Sequence, residues 1–372
     1  MRKESAKRIV ALLSDANALA QSKPVVRARA GDRLSQLGDP RFDAQRYFLP
    51  VDQNLGFVKI LEDKNFKIGT RKKDEDRVAR IIGYKVGDDE FNDDPTPTNE
   101  FYLARYPVTV AQFRVFVEHQ KFTVKDDDVL RDPDTRPVRR VSWHEAKEYC
   151  RWLTQRFMDD AVLNRTQIAA WMRERNGSIT LPSELEWEKA ARGAANTIYP
   201  WGDTPDSNKA NTRESAVSDT STVSDTSAVG CFPAYSGLHD MIGNVWEWTS
   251  SEYGKSHGLN PVISAGEFEG KDVSLMVLRG GSWYVNRDYA RCAYRLGRLP
   301  DARSYYMGFR VVLRFAHVLP PLLLVSPQGE MARRYTRTGC VPAMRADARK
   351  CVCPPRRRKK NSAGQVWSAR TP

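Results

Sequence analysis

Arg279 to Leu313 reads RGGSWYVNRDYARCAYRLGRLPDARSYYMGFRVVL, and its ends differ in kind from its middle. Arg-Gly-Gly-Ser-Trp and Gly-Phe-Arg-Val-Val-Leu combine close-packing glycines, large rings and a β-branched run suited to a central strand. Between Tyr284 and Tyr306 the pattern changes. Tyr, Asn, Asp, Ser, Gly and Arg are interspersed with a few aliphatics, without the alternation of a strand or the spacing of a helix. Two readings fit that composition. One is a polar and aromatic surface loop. The other is a paratope, in which Tyr supplies rigid contact area and Asn, Ser and Gly supply adaptable hydrogen bonding.

Outward from this stretch, 372 residues with 41% apolar content suffice for one large core or two modest ones. No run approaches the roughly 18–20 apolar residues of a membrane span. The first 21 residues have a basic start, but Ser14, Asp15 and Asn17 interrupt their apolar portion. They read as an amphipathic helix with Ile9, Leu12 and Leu13 on one side rather than as a signal peptide. A cytoplasmic location is therefore the expectation. The net charge of +13 is concentrated at the end: from His317 onward nine Arg and three Lys face only Glu330 and Asp347. A tail of that kind offers weak, sequence-blind attraction to polyanions and says little about the body of the chain. Its Arg356 to Lys360 run reads as solvated disorder before it reads as a nucleic-acid site. Six cysteines spread this thinly suit a reducing compartment. Cys340, Cys351 and Cys353 have no nearby His and match no common zinc spacing.

Along the chain, residues 1–50 read as a helical leader broken at Pro24 and stopped at Gly38-Asp39-Pro40. Residues 51–316 read as the main domain and 317–372 as the basic tail. Short strands are expected at Phe57 to Leu61, Phe66 to Thr70 and Phe101 to Tyr106, with a surface loop over Asp88 to Glu100. Thr109, Ser142 and Ser183 stand as helix N-caps, the last two with Glu145 and Glu186 completing capping boxes. Capping and the helix dipole account for Glu184 and Glu186 without catalysis. Ser215 to Ser227 nearly repeats Val-Ser-Asp-Thr-Ser and reads as a surface loop. In Asp240 to Trp248, two carboxylates flank a Gly that permits a sharp turn. The stretch is either a turn into a strand with two core Trp rings or an all-oxygen cradle for a hard cation.

Together these blocks resemble the formylglycine-generating enzyme domain, also called the sulfatase-modifying factor domain, an elaborated C-type lectin fold. The blocks that carry the resemblance, over roughly 55–315, are Ile68-Gly69-Thr70, Phe101 to Thr109, Val141 to Ala146, Leu181 to Gly193, Tyr199 to Gly202, Gly237 to Trp248, Arg279 to Trp283 and Gly308 to Val312. It implies a mixed α+β lectin-like fold with much irregular structure, held by a small sheet and two helices. Oxidases of the family use a cysteine pair that binds copper and attacks a Cys-x-Pro-x-Arg peptide. At the matching positions this chain has Val285 and Ala290, and Cys292 matches a core position, so neither copper nor aldehyde formation is expected. The resemblance also implies a structural calcium held by the side chains of Asp240 and Glu247 and the carbonyls of Gly243 and Val245.

A narrower resemblance is to the variable proteins of diversity-generating retroelements, in which adenine miscopying randomises selected codons. It implies that Tyr284, Val285, Asn286, Arg287, Asp288, Tyr289, Leu296, Gly297, Arg298, Leu299, Ala302, Ser304, Tyr305 and Tyr306 form a diversified ligand-binding face. Randomising the first two bases of an AAY codon never yields Lys, Glu, Gln, Met or Trp, and none of these occurs from Tyr284 to Tyr306. The expected function is therefore a non-catalytic receptor-type protein with a protein ligand, Tyr284, Tyr289, Tyr305 and Tyr306 being its hot spots. The alternative is a metal-dependent oxidase or oxygenase with a different site. His119, His144, His239, His257 and His317 show no facial-triad spacing for one.

Overall fold

Three helices open the chain in the computed structural model, which describes residues 2–193, 196–215, 225–254 and 274–315. They are α1 (Arg2–Ser14), α2 (Ala16–Gln21) and α3 (Pro24–Leu37). Asp15 caps α2 by accepting from the Ala18 N–H at 2.8 Å. Pro24 sits in the first turn of α3, where its missing N–H costs no hydrogen bond. Gly38 ends that helix with φ 85°. Leu13 and Leu34 pack with Ala228, Cys231 and Phe232, whereas Leu12, expected on the same side as Leu13, is exposed. Helix stops at Gly38 as expected, and the rest of the 1–50 leader is not α-helical but holds β1 (Phe42–Asp43) and β2 (Leu49–Pro50), an antiparallel ribbon.

The next elements are β3 (Phe57–Ile60), α4 (Glu75–Ile82), β4 (Phe101–Ala104), α5 (Val110–Gln120), α6 (Trp143–Asp159), α7 (Gln167–Glu174), β5 (Gly177–Thr180) and α8 (Glu184–Arg192). Capping boxes at Thr109/Gln112, Ser142/Glu145 and Ser183/Glu186 start α5, α6 and α8. Phe66 to Thr70 is not a strand. Its only ladder contact is the Thr70–Phe91 bridge, and the Gly69 N–H goes to the buried Glu188 carboxylate at 2.8 Å. Nor is Asp88 to Glu100 a loose surface loop: Glu90, Thr96 and Thr98 are buried, and main-chain bonds tie Thr96 to Phe66 and Thr98 to Asp63.

The chain ends its described part with β6 (Trp246–Glu252), β7 (Met276–Arg279), β8 (Arg295–Arg298), β9 (Met307–Phe309) and β10 (Val312–Phe315). Two four-stranded sheets result, in the orders β3-β4-β10-β5 and β8-β7-β6-β9, the β6–β9 pair being parallel. The fold is thus larger than one small sheet with two helices, and it is the mixed α+β lectin-like architecture. The run Gly308 to Leu313, expected as one central strand, is divided between the sheets. β9 lies at the edge of one and β10 inside the other, and Arg310 at the crossing is wholly buried. One core cluster gathers Tyr149, Trp152, Trp248, Phe309 and Leu313. A second gathers Trp187, Leu103, Val312, Ala290 and Cys292 behind the 284–306 stretch. Among the described residues, no helix is long and apolar enough to cross a membrane. The tail from His317 and most of the near-repeat, 216–224, lie outside the described residues.

Candidate ligand-binding surface

Between β7 and β9 the chain alternates between residues held inside and residues turned out. Ala290, Arg291, Cys292, Ala293 and Arg295 are buried, as are Trp283, Pro300 and Met307. All fourteen positions singled out in the sequence are exposed or half-buried, with Tyr284, Tyr289 and Leu299 at 50%, 40% and 50% exposure. Of these positions Leu296, Gly297 and Arg298 are in strand β8, a regular element the composition did not suggest.

The arginines of the stretch hold the inside half. Arg291 meets Glu90 at 2.5 and 2.6 Å, and Arg295 meets Glu184 at 2.8 and 2.9 Å. Arg279 pairs with Glu188, and Arg303 reaches Glu145 at 3.0 Å. Glu186 and Arg314 form a further pair at 2.5 Å. Thus α8 supplies three anchoring carboxylates, Glu184, Glu186 and Glu188, and its first-turn acids do more than cap the helix. The Arg291–Glu90 and Arg295–Glu184 pairs are buried and two-bonded, which fixes direction as well as position. Two glycines before the stretch add a steric constraint. Gly281 has φ 75°, and a Cβ there would lie 2.5 Å from the Ala290 Cα.

Where the side chains turn out, the main chain stays tied down. The carbonyl of Val285 accepts from the Arg213 N–H at 3.0 Å, that of Ser304 from the Arg140 N–H at 3.1 Å, and that of Tyr306 from the Trp246 N–H at 2.8 Å. The Arg287 and Tyr305 carbonyls accept from Tyr199 Oη and Arg139 Nη1 at 3.3 and 3.1 Å. The Arg287 N–H is directed at both Glu214 oxygens at 3.2 Å. Every residue but proline offers the same main-chain groups, so these bonds survive a change of side chain. Gly297 is the exception to this tolerance. A Cβ on it would come within 2.8 Å of the Tyr253 ring, whose hydroxyl donates to Asp89 at 2.6 Å.

Aromatic rings make up much of the outer surface. Tyr284 and Tyr306 stack at 5.8 Å and 7°, Tyr305 meets both edge-on, and Trp283 lies next to Tyr284 and Tyr305. Tyr289 belongs to a second group with Tyr294 and with Tyr84, a residue distant in the chain that no motif marks in the sequence.

Val285 is half-buried and Ala290 fully buried where a thiolate pair would be needed. Cys292 is enclosed, with burial pushing its thiol up to about 12. Among the described residues no group of three or more His, Cys, Asp and Glu is arranged to hold a metal. The residues named for calcium do not fit that ion as they stand. Glu247 accepts from Arg310 Nε and Nη2 at 2.6 and 2.7 Å and from Trp187 Nε1 at 2.7 Å, so its charge is met by a guanidinium. Asp240 accepts from the Gly230 N–H at 2.8 Å, and burial raises its carboxyl to about 6 despite that bond and Arg310. Gly243 and Val245 belong to the turn between them, and the Gly243 N–H donates to the Gly280 carbonyl at 2.9 Å. His239 stacks on Tyr106 and its Nδ1–H donates to the Phe232 carbonyl at 2.9 Å, while burial lowers its imidazole to about 4.

A family model described as the sulfatase-modifying factor enzyme 1-like domain matches residues 65–315. A bovine (Bos taurus) relative named inactive C-alpha-formylglycine-generating enzyme 2 is 29% identical over 265 residues, covering 67% of this chain and 73% of its own. Hercynine oxygenase of Mycolicibacterium thermoresistibile is 34% identical over 192 residues, covering 48% of this chain and 36% of its own. The chain spans about half the length of other curated relatives it matches. Among solved structures, PvdO from Pseudomonas aeruginosa aligns with a TM-score of 0.52 at 21% identity, covering 70% of this chain and 94% of that one. The matched segment takes in every strand of the two four-stranded sheets except β3, together with the whole of the 284–306 stretch, and on that ground the chain belongs to the sulfatase-modifying factor enzyme 1-like domain family.

Proposed function

We propose that this chain is a non-catalytic ligand-binding protein, the variable protein of a diversity-generating retroelement, which presents a diversified face on a lectin-type frame. One observation carries the reading: the fourteen positions are exposed or half-buried, while fixed donors hold the main chain at Val285, Arg287, Ser304, Tyr305 and Tyr306. Such a surface can change its chemistry without losing its frame. The name of the bovine relative, an inactive member of the family, is in keeping with a non-enzymatic role. The Asp240–Glu247 turn belongs to the same proposal as a metal-free brace, closed by Arg310. The ligand class is protein, met by clustered tyrosines of the kind that dominate protein interfaces.

The match to hercynine oxygenase favours a second reading, a metal-dependent oxygenase. Its ligands would have to come from histidines, of which His119, His144 and His239 are described and do not converge with other metal-binding side chains. Sequencing the DNA around the gene tests the first reading. A near-copy of the 279–313 coding segment, with adenines at the diversified codons and a reverse transcriptase gene beside it, is the expected result. A locus with neither overturns it.

A further inference from the structure

Exposed aromatic surface at this face does not come from the variable stretch alone. Tyr84 follows Gly83, which ends α4 with φ 81°. Its ring stacks on Tyr289 at 5.9 Å and 29°. The Tyr84 hydroxyl donates to the Asp288 carbonyl at 3.0 Å and accepts from Arg291 Nη2 at 3.4 Å. Arg291 is in turn locked by Glu90. The ring is thus fixed at its polar end by groups that do not depend on which residue occupies position 289. It remains half-buried, and with Asp76, Ala79, Arg80 and Gly83 it lines an open depression along α4.

We propose that Tyr84 is an invariant contact residue of the binding surface, and that it forms with position 289 a subsite, half fixed and half variable, for an apolar side chain of a protein ligand. This rests on reading the variable face as the binding surface. An aromatic ring whose hydroxyl is already bonded within the protein offers its apolar face at little cost in ordering. Asp76 and Arg80 place opposite charges along the rim, where they select orientation more than they add affinity. The arrangement gives each diversified version of the face one anchor in common. A randomised surface then does not begin from zero affinity.

Displayed random peptides serve as the probe, each about twelve residues long and reaching roughly 40 Å when extended. They are selected on the wild-type protein and counter-selected on the variant carrying Tyr284→Ala, Tyr289→Ala, Tyr305→Ala and Tyr306→Ala. The surviving peptides are then measured against Tyr84→Phe, Tyr84→Leu and Tyr84→Ala, with melting curves alongside. The expected result is roughly tenfold or greater weakening by Tyr84→Leu and Tyr84→Ala, with Tyr84→Phe within about threefold of wild type. Undiminished binding to both Tyr84→Leu and Tyr84→Ala overturns the inference and leaves the binding face itself in place. Equal weakening by Tyr84→Phe also overturns it, by assigning the effect to the Asp288 hydrogen bond. If no peptide survives counter-selection, it is the reading of the face that fails.

Discussion

Arg295 and Glu184 meet as a two-bonded pair, 2.8 and 2.9 Å, with both side chains wholly shielded from water. Their separation in sequence, 111 positions, makes the contact a clasp between strand β8 and helix α8 behind it. Removing one partner leaves the other charge buried and unmatched. Glu184→Gln is therefore expected to cost about 3–5 kcal/mol in urea unfolding, whereas the double change Glu184→Leu with Arg295→Met should recover most of that loss. A single variant as stable as the wild type would show that the clasp contributes little.

Gly281 admits no side chain without moving Ala290. With φ 75° and a would-be Cβ 2.5 Å from the Ala290 Cα, Gly281→Ala should destabilise by more than about 1 kcal/mol. Gly297→Asn should instead displace Tyr253 and break its bond to Asp89. Amide exchange over residues 88–91 and 252–254 would rise in that variant. Unchanged exchange there would mean that Gly297 is as free to vary as its neighbours.

What could be seen in the sequence, and what could not, divides along distance in the chain. The caps at Thr109, Ser142 and Ser183 lie three residues from their partners, so the residue types announce them. The Glu90–Arg291 pair spans 201 positions, and no local pattern ties those two residues together. For the same reason Glu184 and Glu186 read as helix-start acids when they also anchor Arg295 and Arg314. Phe66 to Thr70 has strand composition, but its Gly69 N–H is drawn away by Glu188, and tertiary contact outweighs propensity there. The exposure of much of 284–306 could be read from its polar and aromatic composition, whereas Tyr84, alone in its segment, carries no such mark.

The brace at Asp240–Glu247 predicts indifference to metal removal. Adding a strong chelator should leave the melting temperature unmoved, while Glu247→Gln, which strips Arg310 of its counter-charge, should lower stability by about 3–5 kcal/mol. A chelator-induced drop in melting temperature would restore the calcium reading of Asp240, Gly243, Val245 and Glu247.

No aldehyde should form on a Cys-x-Pro-x-Arg peptide incubated with the purified protein, with or without added copper. Val285 and Ala290 offer no thiolate, and the Cys292 thiol is enclosed. Aldehyde detected by a hydrazide probe would sink the non-catalytic assignment.

The account depends most on the outer rings being there for contact. Replacing Tyr284, Tyr289, Tyr305 and Tyr306 by Ala and comparing unfolding free energy with binding of peptides selected on the wild-type face tests this directly. The account predicts stability within about 2 kcal/mol of wild type and binding weakened by roughly a hundredfold or more. Loss of stability in step with loss of binding would contradict it.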